Sequence, residues 1–231
     1  TFLLDEEETY EQASIRTLTM PVLIEREHWF VVAIDVGTTR RLAAEGTARR
    51  RWQDSEELAN GPREDQSRKC VQKVLQELDR RLAGTKLILQ TDEKSSYATL
   101  APEVFGDRVN HMTTPSRLAR GTFNPLFPIN TTLAMTRDNL GRLRRHSWLV
   151  TKKREYLRSH MNMFLVYRNY LRTRFNRDKE GHSPAVKLGL LLRNLTVAEA
   201  LGWRQDWGPR SIDPLSADGS RLVGSPVPVA A

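Results

Sequence analysis

The sequence predicts an α/β domain built on a mixed sheet, and three observations carry that expectation. The N-terminal segment holds three runs rich in aliphatic, β-branched and aromatic residues. Later apolar runs alternate with stretches of helical period. The chain has 231 residues, enough for one α/β domain of ordinary size and a modest extension.

Taken in order, residues 2–10 form the first expected strand. Leu18-Thr19-Met20-Pro21-Val22-Leu23-Ile24 and Trp29-Phe30-Val31-Val32-Ala33-Ile34-Asp35-Val36 form the next two, joined by a hairpin at Glu25-Arg26-Glu27-His28. Pro21 has no N–H to donate, which predicts a bulge or an edge position. Residues 37–63 are polar, Gly-containing and arginine-rich, and read as a loop. A helix follows from Pro62, with Val71, Val74, Leu75, Leu78 and Leu82 on one face and Gly84 at its end. Lys86–Gln90 is a short strand, Tyr97–Phe105 a helix closed by Gly106, and Val109–Met112 another strand.

Two more helices are expected at about 130–145 and 152–175, the second aligning Leu157, Met161, Phe164, Tyr167, Leu171 and Phe175. Thr196 and Glu199 have the spacing of a capping box for a last short helix, and Trp203 and Trp207 are expected to anchor the tail. Beyond Pro209 the chain turns to Ser, Gly, Pro and Ala, the composition of a disordered segment. The expected division is a domain over 1–178, a helical extension over 179–212 and a tail over 213–231. The order β-β-β-α-β-α-β-α-α is that of a ribonuclease-H-like core with a five-stranded sheet. In such a sheet the first strand is central and the fourth lies beside it in parallel.

The composition narrows the function. With 39% hydrophobic and 28% charged residues, the chain reads as soluble and globular, and no run approaches the ~18 apolar residues of a membrane span. A cytoplasmic location is expected. The single cysteine, Cys70, excludes an internal disulfide and a Cys-based zinc site, and its place in a helical pattern predicts a small buried filler. Net charge is +8 and strongly polarised. Positions 1–12 carry five acids, whereas positions 137–177 carry twelve Lys or Arg against Asp138 and Glu155. Such a balance points to a polyanionic partner.

Several segments together resemble the insertion-sequence DDE transposases, whose catalytic domain is ribonuclease-H-like. Asp5-Glu6-Glu7-Glu8-Thr9-Tyr10-Glu11 is similar to that family's first-strand motif, and Thr91-Asp92-Glu93 with Tyr97 to its second-acid segment. Asn130-Thr131-Thr132-Leu133-Ala134-Met135, Arg142-Leu143-Arg144-Arg145 and Ser147-Trp148 resemble the helix before the last acid. Thr151-Lys152-Lys153-Arg154-Glu155 with Tyr167-Arg168-Asn169 resembles the helix that carries it. The likeness spans about residues 3–175.

The resemblance implies catalytic and metal-binding roles for Asp5, Asp92 and Glu155. Cleavage of a phosphodiester and transfer of the freed 3′-hydroxyl call for two hard divalent ions, Mg²⁺ or Mn²⁺, held by oxygen ligands. Asp5 would bridge the ions, with Asp92 and Glu155 each holding one. Asp35 competes for the role of first acid. Asn130 is a candidate supporting residue, its alternative being a helix N-cap. Arg142, Arg144, Arg145, Lys152, Lys153, Arg154 and Arg158 are expected to grip phosphates. The expected partner is double-stranded DNA, transposon ends and target, with a homodimer as a further expectation and no membrane. Full transposases of this type carry an N-terminal end-recognition segment, whereas this sequence opens on the first strand. A DNA-binding relic without turnover and a ribonuclease-H-like nuclease therefore stay open as alternatives.

Overall fold

The computed structural model describes residues 1–144 and 148–202. Six strands form one sheet: β1 (Phe2–Tyr10), β2 (Thr17–Glu25), β3 (Val31–Ile34), β4 (Gly37–Thr38), β5 (Leu87–Thr91) and β6 (Val109–Thr113). The helices are α1 (Ala48–Asn60), α2 (Ser67–Leu82), α3 (Ser95–Phe105), α4 (Phe127–Asn139), α5 (Arg154–Val166), α6 (Pro184–Lys187) and α7 (Val197–Gly202).

The sheet runs β3-β2-β1-β5-β6, with the short β4 also paired to β2. The β1–β2 and β2–β3 pairs are antiparallel; β1–β5 and β5–β6 are parallel. The fold is therefore α/β with a mixed open sheet, as expected, and the first strand is central.

Successive side chains of a strand point to opposite faces, and β1 uses both. Leu3 joins Met20, Val22, Leu133, Leu157 and Met161 in a core under α4 and α5. Leu4 joins Leu23, Val71, Leu75, Leu89 and Tyr97 in a second core under α2 and α3. The two helical layers thus bury the sheet from both sides, as parallel pairing requires.

Pro21 sits within β2, between two partners. Leu18 and Thr19 pair with β4, while Val22, Leu23 and Ile24 pair with β3. The residue that lacks an N–H lies where the neighbouring strand changes, so a strand that is not at the sheet edge tolerates it.

Three expectations are corrected. Residues 37–63 are not a bare loop, because α1 and β4 lie within them. α1 escaped notice because it buries Gln53 rather than an apolar stripe. Polar contacts fix it instead: Gln53 bonds the backbone of Ala43 and Arg41, Arg40 pairs with Glu57, and Arg16 with Glu56. The next helix begins at Ser67, not Pro62, since Gln66 N–H still donates to the C=O of Thr38 in β4. The helices expected at 130–145 and 152–175 are each shorter. α4 ends at Asn139 before a 3-10 turn at Gly141–Leu143, and α5 passes at Val166 into a π-turn over Tyr167–Leu171. That turn directs the Asn169 side chain onto β3, where it donates to Val31 C=O and accepts from Val31 N–H, both at 2.8 Å.

Smaller expectations hold. Cys70 is buried, and a Cβ added at Gly37 would come within 2.3 Å of its Sγ, so glycine permits this close approach of strand and helix. Burial, then nearby Asp35, pushes the Cys70 thiol up to about 12, which makes it a poor nucleophile. The capping box is formed: Glu199 N–H donates to Thr196 Oγ1 at 3.2 Å, and Thr196 N–H to Glu199 Oε2 at 2.8 Å. Trp203, Trp207 and the rest of the expected tail lie outside the described residues.

Candidate active site

Asp5 occupies the middle of β1. The parallel register pairs Leu3 with Gln90, so two residues further on Asp5 stands beside Asp92, just past the end of β5. A strand-order argument alone brings these two acids together. Asp5 Oδ1 accepts from Glu6 N–H at 2.7 Å, and Asp92 Oδ1 from Lys94 N–H at 3.0 Å. Burial raises the Asp5 carboxyl to about 6. The charges of Asp92 and Glu6 add to the rise, against the Glu6 N–H bond and the charge of Arg120.

The neighbouring acid, Glu6, is fully engaged. It accepts from Lys94 Nζ at 2.6 Å, Tyr97 Oη at 2.9 Å, Thr19 Oγ1 at 2.5 Å and Ser67 Oγ at 3.0 Å. Glu7 is buried against Arg137 Nε at 2.6 Å and the Thr136 hydroxyl. Burial, then the negative charge of Glu6, Asp5 and Asp92, pushes the Tyr97 phenol upward and keeps it protonated.

Glu155 is not drawn to this pair. It lies in the first turn of α5 with its side chain 66% exposed, 4.0 Å from Arg154 Nη2. The root of α5 is tied to the far end of β1: Thr151 bridges Glu11, and Arg154 N–H donates to Glu11 Oε1 at 2.8 Å. Glu11 is six residues beyond Asp5, about 20 Å at roughly 3.3 Å per residue. Among the described residues, three ligand atoms of acids or histidine within 4.8 Å of one another occur at Glu25, Glu27 and His28, and not at the expected triad. There the Glu25 carboxylate already holds Glu27 N–H, His28 N–H and His28 Nδ1 at 2.7–3.0 Å, so it locks the hairpin.

The other candidates are placed as follows. Asp35 is ion-paired with Arg158 at 2.9 Å and Lys73 at 3.7 Å, and so ties α5 and α2 to the end of β3. Asn130 is not an N-cap, because its N–H donates to Leu126 C=O inside α4. The N-cap is Leu126, without a side-chain cap bond, and Asn124 Oδ1 accepts from Leu126 N–H at 2.8 Å in the turn just before the helix. Of the expected phosphate contacts, Arg144, Lys152 and Lys153 are exposed, and Arg145 lies outside the described residues. Arg142 Nε bonds His160 Nδ1, Arg154 bonds Gln66, and Arg158 bonds Val36 C=O, so these three also have work inside the fold.

Sequence reasoning missed Arg120. It belongs to the loop after β6, whose root is held by Thr114 N–H on Thr91 C=O at 2.8 Å and whose body is held by the Asn124 amide on Leu118 and Ala119 C=O. Ser116 N–H also donates to Glu93. The usable signal was topological: a loop leaving the strand beside β5 emerges next to the residue that ends β5. No family model and no curated protein matches the chain.

Proposed function

We propose that this chain is the ribonuclease-H-like catalytic domain of a DDE-type insertion-sequence transposase, acting on DNA phosphodiester bonds with a divalent cation. One observation carries the reading: Asp5 of the central strand β1 and Asp92, just past the end of the parallel neighbour β5, lie close enough for the charge of Asp92 to act on Asp5. The two residues fit a hard cation, since both offer oxygen, and burial followed by the charge of Asp92 raises the proton affinity of Asp5. Asp5 and Asp92 would hold Mg²⁺ or Mn²⁺. The second ion expected from the resemblance would need Glu155 at the pair, and the described arrangement does not fit that. When bound, the cation supplies Lewis acidity to the phosphoryl group and its attacking oxygen.

The chain's own residues do the rest. Lys94, Tyr97, Thr19 and Ser67 hold Glu6 in place, and its backbone N–H in turn orients Asp5. Arg120 contributes positive charge near Asp5, where a phosphodiester oxygen would arrive. The exposed Arg144, Lys152 and Lys153 supply phosphate contacts away from the acids.

The separation of Glu155 from the acid pair favours a second reading, DNA binding without turnover. A nicking assay on supercoiled duplex DNA decides between them. Wild type is expected to nick in Mg²⁺ or Mn²⁺ and Asp92→Asn to lose at least 100-fold. Equal activity in the two proteins would overturn the metal-site reading, whereas no nicking by wild type that nonetheless binds duplex would support the second.

A further inference from the structure

β5 stops at Thr91, level with Leu4, so β1 continues from Glu6 to Tyr10 without that neighbour. Beside this stretch lies a cavity of about 310 Å³, lined by Glu8, Thr9, Tyr10, Arg137, Arg142, Leu143, Arg144 and Val150. Three guanidinium groups line it; Arg137 is neutralised by Glu7, and the one lining carboxylate, Glu8, is paired with Arg41, so Arg142 and Arg144 set the sign of the cavity.

Two of these arginines are held from one side. Arg137 Nε is fixed by the buried carboxylate of Glu7 at 2.6 Å. Arg142 Nε donates to His160 Nδ1 at 3.2 Å. His160 must then be neutral at Nδ1, in keeping with its lowered basicity through burial and the Arg142 charge. A guanidinium fixed through Nε keeps its terminal N–H groups for a second partner in a set plane, the geometry that suits phosphate. Arg144 adds an exposed third group, and Thr9, Tyr10, Leu143 and Val150 complete the lining.

We infer that this cavity is a phosphate site for one nucleotide unit, separate from the acid pair. The phosphate could be part of a DNA strand or belong to a free nucleotide. Glu8–Tyr10 lies three to five residues beyond Asp5, about 10–17 Å along β1. One strand of duplex DNA carries a phosphate about every 3.4 Å of axis. A strand cleaved at Asp5 and Asp92 would therefore present a phosphate roughly three to five positions away to the arginines. That register rests on the transposase reading; the phosphate site does not.

The test is binding in chelator, without cleavage, by the whole chain. Probes are a short duplex, a single-stranded oligonucleotide, AMP and inorganic phosphate, each titrated across salt. Arg144→Ala is the main variant because the residue is exposed, and Arg144→Lys restores the charge without the fork. Arg142→Ala is the second variant, with its melting curve as the check on folding. If the source is a strand, Arg144→Ala weakens duplex or oligonucleotide binding several-fold and reduces the salt slope by about one, Arg144→Lys recovers part of this, and AMP binds poorly. If the source is a free nucleotide, AMP binds saturably to wild type and several-fold more weakly to Arg144→Ala. Unchanged affinity and slope for all four probes in folded Arg144→Ala and Arg142→Ala would overturn the site. Loss of nicking by Asp92→Asn with intact binding here would separate failure of one claim from failure of the other.

Discussion

Asp5 and Glu7 are two residues apart on one face of β1, yet their surroundings are opposite. Glu7 is 1% exposed and meets Arg137 and the Thr136 hydroxyl. Asp5 accepts a bond from the backbone of Glu6 but faces Asp92, and its strongest electrostatic neighbours include two acids. Glu6, on the other face, is as well supplied with donors as Glu7. The difference separates acids that hold the fold from one the fold holds at a cost. Structural carboxylates have found cations of the protein's own; Asp5 and Asp92 crowd each other, which is the condition of a site that takes its cation from solution.

The largest expected effect breaks the satisfied side of this contrast. Glu7→Gln removes the charge that neutralises Arg137 and leaves that guanidinium part-buried without it. Removing one partner of a buried ion pair costs roughly 3–5 kcal/mol, and because Arg137 is 33% exposed the expected loss is about 2–3 kcal/mol. Urea unfolding measures it; a loss below about 0.5 kcal/mol would mean the pair contributes no more than a surface one.

The unsatisfied side should respond with the opposite sign. An acid whose carboxyl is raised from 3.8 to about 6 on folding binds protons more tightly in the folded state. Stability then falls as pH rises from about 4 to about 6 and stays lower above that. Asp5→Asn removes the penalty, so at pH 7.5 the variant should be more stable than wild type by about 1–2 kcal/mol, after allowance for solvent screening. The gain should vanish near pH 4. Mg²⁺ at ten times its dissociation constant should add about 1.4 kcal/mol to wild type at pH 7.5 and nothing to Asp5→Asn. Urea melts at the two pH values, with and without the ion, read both effects; a destabilised Asp5→Asn would place Asp5 with Glu7 among the structural acids.

How far the sequence foretold this contrast depends on what each element is made of. The strands β1, β2 and β5 were legible because they bury apolar residues in runs or in alternation, and their order placed Asp5 beside Asp92. α1 was hidden because its inward position is Gln53 and its ties are polar. Arg120 was hidden because the nearness of a loop to a strand end follows from the sheet, not from spacing along the chain. For Glu155, period and charge located the helix start correctly to within two residues. They could not show which way the first turn faces, since that depends on how Thr151 and Arg154 dock on Glu11.

That docking makes Glu155 the sharpest test of the resemblance. Its side chain is 66% exposed and its nearest ion-pair partner, Arg154, stands at 4.0 Å, a contact of the surface kind worth well under about 1 kcal/mol. Glu155→Gln should therefore change stability by less than about 0.5 kcal/mol and leave the Mg²⁺-induced stabilisation intact. Asp92→Asn, by contrast, should abolish that stabilisation. If Glu155→Gln abolished it as well, the first turn of α5 would have to reach the acid pair once the cation is present. That movement would release Arg154 N–H from Glu11 and Thr151 from its bridge, so hydrogen exchange at Gln12 and Arg154, compared with and without Mg²⁺, would register the same event independently.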